Sequence, residues 1–314
     1  MTLSPWRIVF FGTPSFSILT LKSLFRGPDE VVAVVTQPDR EKGRGRKLIP
    51  SPVKELTLQQ GIPLFQPEKA KEETFQGTMR LLQPDLFVVV AYGQLLTKSL
   101  LQIPKYGAVN VHASLLPKYR GAAPIAWAIL NGEKVTGVTT MKMDEGMDTG
   151  DILLQREIPI GEEETSETLH DRLASLGASL LMETVEKMKT GKIDPIAQDP
   201  SKATYAPPLK KEDGRIDWEK GAEEIHRKVR AFYPWPGAFT EWEGRFLKIV
   251  RGEVRKRISS GKVKTVIWVG SDFIEVETGV DSFIVREVQL EGKKRMSVKD
   301  FQSGHPIPVG TIFQ

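Results

Sequence analysis

The chain has 314 residues, 40% hydrophobic and 27% charged, enough for two domains of ordinary size. It contains no cysteine, which excludes disulfides, thiolate catalysis and zinc–sulfur sites and fits a cytoplasmic protein. The net charge of +4 lies in the second part: residues 205–314 hold 20 Lys and Arg against 16 Asp and Glu, so the first 204 are balanced.

The first half alternates short apolar runs with helical spacing. Residues 7–11, 31–36, 86–91 and 108–112 read as buried strands, and 16–25, 52–60 and 74–83 as helices. That alternation predicts a mostly parallel sheet covered on both faces. The runs 135–143 and 152–158, joined by a loop rich in Asp and Gly, predict an antiparallel edge to the same sheet. A long helix is expected over 168–189. Three Pro-containing breaks follow, at Pro195, Pro200 and Pro207, and mark a linker. Beyond it a helix over 218–232 leads into strand-like runs at 246–250, 263–269, 273–278 and 283–290, the pattern of a small barrel. The expected division is 1–190, a linker at 191–207, and 208–314. No apolar run approaches the roughly 18–20 residues that span a bilayer. No exposed apolar repeat or heptad is visible, so a monomer is expected.

Several chemistries lack their motifs. The first turn, from Phe11 to Phe16, is not a dinucleotide fingerprint, and neither a P-loop nor a G-x-S-x-G elbow occurs. His112, His170, His226 and His305 are too scattered for a recognisable zinc site, so no metal is expected. What remains is Asn110 and His112. Two apart on a strand, their side chains share a face near the carboxyl edge where open α/β sheets place ligands. An amide can stabilise a developing oxyanion and an imidazole can move a proton, which suits acyl-type transfer. A satisfied polar pair at a strand end is the competing reading of these two residues alone.

The stretch from Asn110 to Glu133, N-V-H-A-S-L-L-P-K-Y-R-G-A-A-P-I-A-W-A-I-L-N-G-E, resembles the signature of the 10-formyltetrahydrofolate-dependent formyltransferases. The resemblance implies a Rossmann-like catalytic domain, and a catalytic trio of Asn110, His112 and Asp148. Asp148 is one of three aspartates in the downstream loop; from the residues alone Asp144 and Asp151 compete, or cap turns. It further implies folate contacts at Ser114, Leu115, Leu116 and Pro117 and along Tyr92, Gly93, Gln94 and Leu95, although Leu115 and Leu116 fit a core equally well.

Likeness to the branch that formylates initiator methionyl-tRNA covers nearly the whole chain, including an OB-like barrel domain for tRNA. Arg40, Lys42, Arg44, Arg46 and Lys47 surround Gly43 and Gly45 in a loop suited to phosphate contact, or to solvent as a charged surface. The resemblance assigns this loop to tRNA. Two relatives of the same chemistry compete: one acting on an amino-sugar nucleotide, which would not need the basic loop, and one hydrolysing the folate, whose chains usually sit beside other domains. A non-catalytic RNA-binding protein would explain the loop and the barrel but not the trio.

Overall fold

The computed structural model describes residues 4–42, 47–257 and 261–314, and it divides into two compact units. In the first, the apolar runs become β1 (Arg7–Gly12), β2 (Glu30–Val35), a short hairpin of β3 (Arg40–Lys42) and β4 (Lys47–Ile49), β5 (Leu64–Phe65), β6 (Leu86–Val90), β7 (Ala108–His112), β8 (Arg120–Gly121), β9 (Val135–Lys142) and β10 (Ile152–Pro159). Seven of them form one sheet in the order β10-β9-β7-β6-β1-β2-β5. From β5 to β7 the pairing is parallel; β9 runs antiparallel to β7 and β10 antiparallel to β9. The parallel sheet with an antiparallel edge thus matches its pattern, since β6 and β7 are buried throughout, β6 as a continuous apolar run and β7 broken only by Asn110 and His112.

Helices α1 (Ile18–Arg26), α2 (Pro52–Gln60), α3 (Glu73–Leu81) and α4 (Lys98–Leu101) fall between the parallel strands. Helix α2 shows why the chain turns helical there: Ser51 accepts from the Lys54 N–H, Pro52 occupies the first turn, and Gly61 ends it at φ +67°. Helix α5 (Pro124–Leu130) was not anticipated, and the long α6 spans Ser166–Lys189. A Cβ at Gly177 of α6 would lie 2.9 Å from Val111, so the helix backbone approaches the face of β7 that carries Val109 and Val111. Asn110 and His112 therefore project from the opposite face.

Of residues 191–207, read above as a linker, all but Pro207 are built into the first unit. Ile196 pairs with Ile152, and β11 (Tyr205–Ala206) runs parallel to β8. The second unit comprises Ile125–Lys134, Ile160–Leu169 and Pro207–Gln314. Its helix α7 spans Ala222–Ala231 and begins four residues later than expected. Trp218 lies outside it, with its indole buried and donating to Thr240, while Gly221 caps the helix and pairs with Val280.

The sheet of this unit holds β12 (Ala238–Trp242), β13 (Arg245–Arg255), β14 (Val266–Val269), β15 (Ile274–Glu277) and β16 (Ser282–Leu290) in the order β12-β13-β16-β15-β14, with β17 (Met296–Ser297) on β16; α8 (Val298–Gly304) follows. The C-terminal residues close it. Val266 donates to Thr311 and Phe313 to Lys264 on one side, and Gln314 exchanges backbone bonds with Glu241 on the other. Trp218, Phe283, Phe301 and Phe313 fill the interior. Among the described residues no helix is long and apolar enough to cross a membrane.

Candidate active site

Asn110 and His112 are 8% and 6% exposed and face β9 partners Met141 and Thr139. The imidazole lies between two fixed acceptors. Its Nε2 lies 2.9 Å from the Tyr119 carbonyl oxygen, and its Nδ1 lies 3.6 Å from Asp148 Oδ2. A carbonyl can only accept, so the proton of the neutral ring sits on Nε2. Nδ1 is then the basic nitrogen, aimed at the carboxylate.

Asp148 comes from the loop between β9 and β10. In register terms this loop leaves the sheet beside Val109, near the amino end of β7, and folds back along the strand to reach His112. Oδ2 accepts from the Gly121 N–H at 2.8 Å, and Oδ1 accepts from Asn110 Nδ2 at 3.5 Å, the outer limit of a hydrogen bond. Asp148 sits at φ +54°, which an aspartate tolerates better than most residues. The loop needs glycine at 150, where a Cβ would overlap the Lys142 carbonyl. The competing aspartates are employed otherwise or face water. Asp144 accepts from Gly146 N–H and Thr149 Oγ and so caps the turn, while the Asp151 side chain is exposed.

The segment after His112 is a stitched turn. Ser114 Oγ donates to the Lys118 carbonyl, Thr139 Oγ donates to the Ser114 carbonyl, and the Leu116 N–H donates back to Thr139 Oγ. Gln155 Nε2 donates to the Leu116 carbonyl and to Thr139 Oγ. Leu116 packs with Met141 and Ile152 in a small core, Leu115 is half-buried, and the Pro117 carbonyl accepts from Thr204. Of the second expected segment, the Tyr92 ring points into the core against Phe11, where burial pushes its hydroxyl pKa up; it faces no open surface. Gln94 ties down the chain at Ala70, Pro67 and Glu68. Gly93 and Leu95 are exposed.

These residues lie at a point the strand order singles out. The chain leaves β1 toward β2 on one side and later returns to β6 on the other, so the crevice between β1 and β6 is the topological switch point. Thr13, just beyond β1, donates to the Tyr92 carbonyl and accepts from the Gln37 N–H, joining the ends of β1, β2 and β6. The sequence gives Thr13 and Gln37 no role of their own, although Thr13 sits in the first strand–helix turn. Among the basic residues, Arg40 donates to Gln37 from β3, and the backbones of Lys42 and Lys47 pair across the hairpin. Arg44 and Arg46 lie outside the described residues. Below the hairpin, Lys54 and Gln66 bond the Asp39 carboxylate and hold its pKa below the usual range. A cavity of about 450 Å³ beside Lys98, Gln102, Lys142 and Asp144 includes none of Asn110, His112 and Asp148. Among the described residues no group of three His, Asp or Glu is placed to hold a metal ion.

Comparison with known proteins agrees with this architecture. The formyl transferase family model matches residues 6–185, and the model of the formyl transferase C-terminal domain matches residues 208–306. The chain belongs to the formyl transferase family. Within it, the methionyl-tRNA formyltransferase of Trichlorobacter lovleyi is 52% identical over 99% of this chain and 98% of its own. That of Caldanaerobacter subterraneus is 48% identical over 98% and 100%. Among solved structures, the sugar 3N-formyl transferase WlaRD superposes with a TM-score of 0.68 at 20% identity, covering 92% of this chain and 99% of that one, a likeness of fold. HypX from Aquifex aeolicus, solved with tetrahydrofolic acid, gives a TM-score of 0.64 at 18% identity over 99% of this chain and 51% of that one.

Proposed function

We propose that the chain transfers the formyl group of 10-formyltetrahydrofolate to the α-amine of initiator methionyl-tRNA. The observation that carries the chemistry is the convergence of an amide, an imidazole and a carboxylate on one face of β7. Full-length relatives at about half identity carry the choice of acceptor. In this reading Asn110, His112 and Asp148 are the catalytic residues.

The folate supplies the formyl carbon. Gly93 and Leu95, exposed in the chain that follows β6, would offer peptide hydrogen bonds and an apolar contact that suit a flat heteroaromatic amide. The turn from Ser114 to Pro117 adds backbone groups beside the trio. Asn110 has two N–H groups, and its contact to Asp148 is long, so it can donate to the formyl oxygen as charge develops there. Nδ1 of His112 takes the proton from the attacking amine. The ring then donates from Nδ1 to Asp148 while its Nε2 stays on the Tyr119 carbonyl; as the tetrahedral intermediate collapses, the bond from the formyl carbon to the folate nitrogen breaks and the ring passes its proton to that nitrogen, releasing tetrahydrofolate. No metal enters this scheme.

The same reading takes 1–190 as catalytic, with residues 191–206 built into the same unit, and 208–314 as binding tRNA together with Arg40, Lys42, Arg44, Arg46 and Lys47. It places the enzyme in the cytoplasm as a monomer. The test offers the protein 10-formyltetrahydrofolate with either charged initiator tRNA or an amino-sugar nucleotide. N-formylmethionine on the tRNA is expected. Formylation of the sugar alone would move the chain to the rival branch, and release of formate without an acceptor would make it a hydrolase.

A further inference from the structure

We propose that Gln198, fifty residues beyond the loop it serves, is a positioning residue for Asp148 and is itself oriented by Arg120. The proposal rests on the reading that Asp148 takes part in formyl transfer. Gln198 is 9% exposed and Arg120 is 4% exposed. The Gln198 amide is fully committed. Its Nε2 donates to the backbone carbonyls of Asp148 at 2.8 Å and Gly150 at 2.7 Å, and its Oε1 accepts from Arg120 Nε at 3.1 Å and Nη2 at 2.8 Å. Two donors and two lone pairs are the whole capacity of a carboxamide. The arrangement cannot flip, because a reversed amide would turn its NH₂ toward the guanidinium and its oxygen toward two carbonyls.

The geometry gives this clamp a task. Asp148 occupies the left-handed region, which holds only when its surroundings over-determine it. The carboxylate is held by the Gly121 N–H and the peptide carbonyl by Gln198, so adjacent residues 120 and 121 grip both ends of Asp148. Arg120 and Gly121 are fixed in turn by β11 and the residue before it, through Arg120 N–H to the Thr204 carbonyl and the pairing of Gly121 with Ala206. The buried Arg120 and Gln198 thus form a strut from β8 to the loop. Surface solvation would not require either side chain, and a purely apolar strut could not bond two carbonyls.

The experiment compares Gln198→Glu, Asp148→Asn and the double variant of the full-length protein in formylation of methionyl-tRNA. Glutamate keeps the two-pronged partner for Arg120 but has no N–H for the carbonyls. The expected result is a kcat loss of about 10–100-fold, since small misplacements of catalytic groups carry such penalties, with KM for tRNA and folate changed by less than about two-fold. Against Asp148→Asn the second substitution should add no further loss. Multiplying losses, or wild-type kcat in Gln198→Glu beside a crippled Asp148→Asn, overturns the positioning role. Normal turnover in Asp148→Asn overturns the underlying reading as well. Should Gln198→Glu fail to fold, Arg120→Lys keeps the charge without the planar fork. It should show the same pattern with a smaller kcat loss, about 3–10-fold.

Discussion

Gly121→Ala tests whether the Asp148 carboxylate, catalytic in the proposed function, depends on one backbone N–H. Gly121 sits at φ +117°, a region side chains avoid, and a Cβ there would lie 2.7 Å from the Ala206 carbonyl oxygen and 3.3 Å from its carbon. Ordinary contact requires roughly 0.5 Å more, within a strand pair that spans only two residues on each side. The Gly121 N–H donates to Asp148 Oδ2 at 2.8 Å, so a displacement of that size takes the bond to the edge of usefulness. Backbone strain of this kind costs of order 1–3 kcal/mol. The expectation is a melting temperature lower by several degrees and a kcat lower by about 10–100-fold. Gly61→Ala is the control: φ there is +67°, nothing lies within 4 Å of the added carbon, and the residue ends α2 away from the trio. It should lose stability and keep kcat. Turnover numbers for both variants, measured below their melting transitions, decide the matter. Equal kcat in Gly121→Ala and the wild type would refute the idea that this contact sets the carboxylate.

Three further outcomes are expected. Asn110→Ala should lower kcat by ~100–1000-fold and His112→Ala should abolish formylation with the fold intact by circular dichroism; near-normal turnover in either removes that residue from the mechanism. Replacing Arg44 and Arg46 together by Ala should weaken use of methionyl-tRNA and shrink the slope of log kcat/KM against log salt by up to about two, and an unchanged slope would make the loop a mere surface feature. His226 is held below its usual pKa first by burial and then by Arg230, against the opposing charges of Glu163 and Glu223. The unfolded chain therefore binds its proton first, so stability is full above the ordinary value of 6.5 and declines as pH falls below it toward the folded value. His226→Gln should flatten the fall in melting temperature between about pH 7 and 5, and parallel curves for variant and wild type would count against this.

Much of the first unit is legible because buried parallel strands are written as mostly apolar runs; β1, β2, β6 and β7 are each visible to within a residue or two. β5 was not, since it has two residues, Leu64 and Phe65, and borrows its pairing from β2. The start of α7 misled for a physical reason. Trp218, Ala222, Ile225 and Val229 recur at helical spacing and all are buried, but Trp218 reaches the same core from non-helical chain. β12 hides behind the Pro-rich run before it, and the tail that closes the barrel carries no strand pattern of its own. At the site, Asn110 and His112 could be placed on one face from period two alone. Asp148 could not be told from Asp144 and Asp151 by sequence, because the difference lies in which oxygen meets Gly121 and which caps a turn. Tyr92 could not be sorted from its neighbours, since its backbone ends at the crevice while its ring turns into the core.

The position of the trio follows from where the sheet changes direction. Up to β7 every strand of the seven-stranded sheet is parallel, and ligands gather at the carboxyl ends by the switch-point rule. At β7 the neighbour becomes antiparallel, so the next connection returns at the amino end instead, beside Val109. A loop from that end can lie along the face of β7, which a crossover helix would otherwise cover. This is how a carboxylate from beyond β9 meets an imidazole at the opposite end of the strand. The convergence is made by an irregular loop, and that loop has no regular pairing to fix it. Asp148 takes a strained conformation, Gly150 allows close approach to Lys142, and two polar clamps hold the result. The strand pattern thus locates two of the three groups, while the third depends on contacts that no periodicity records.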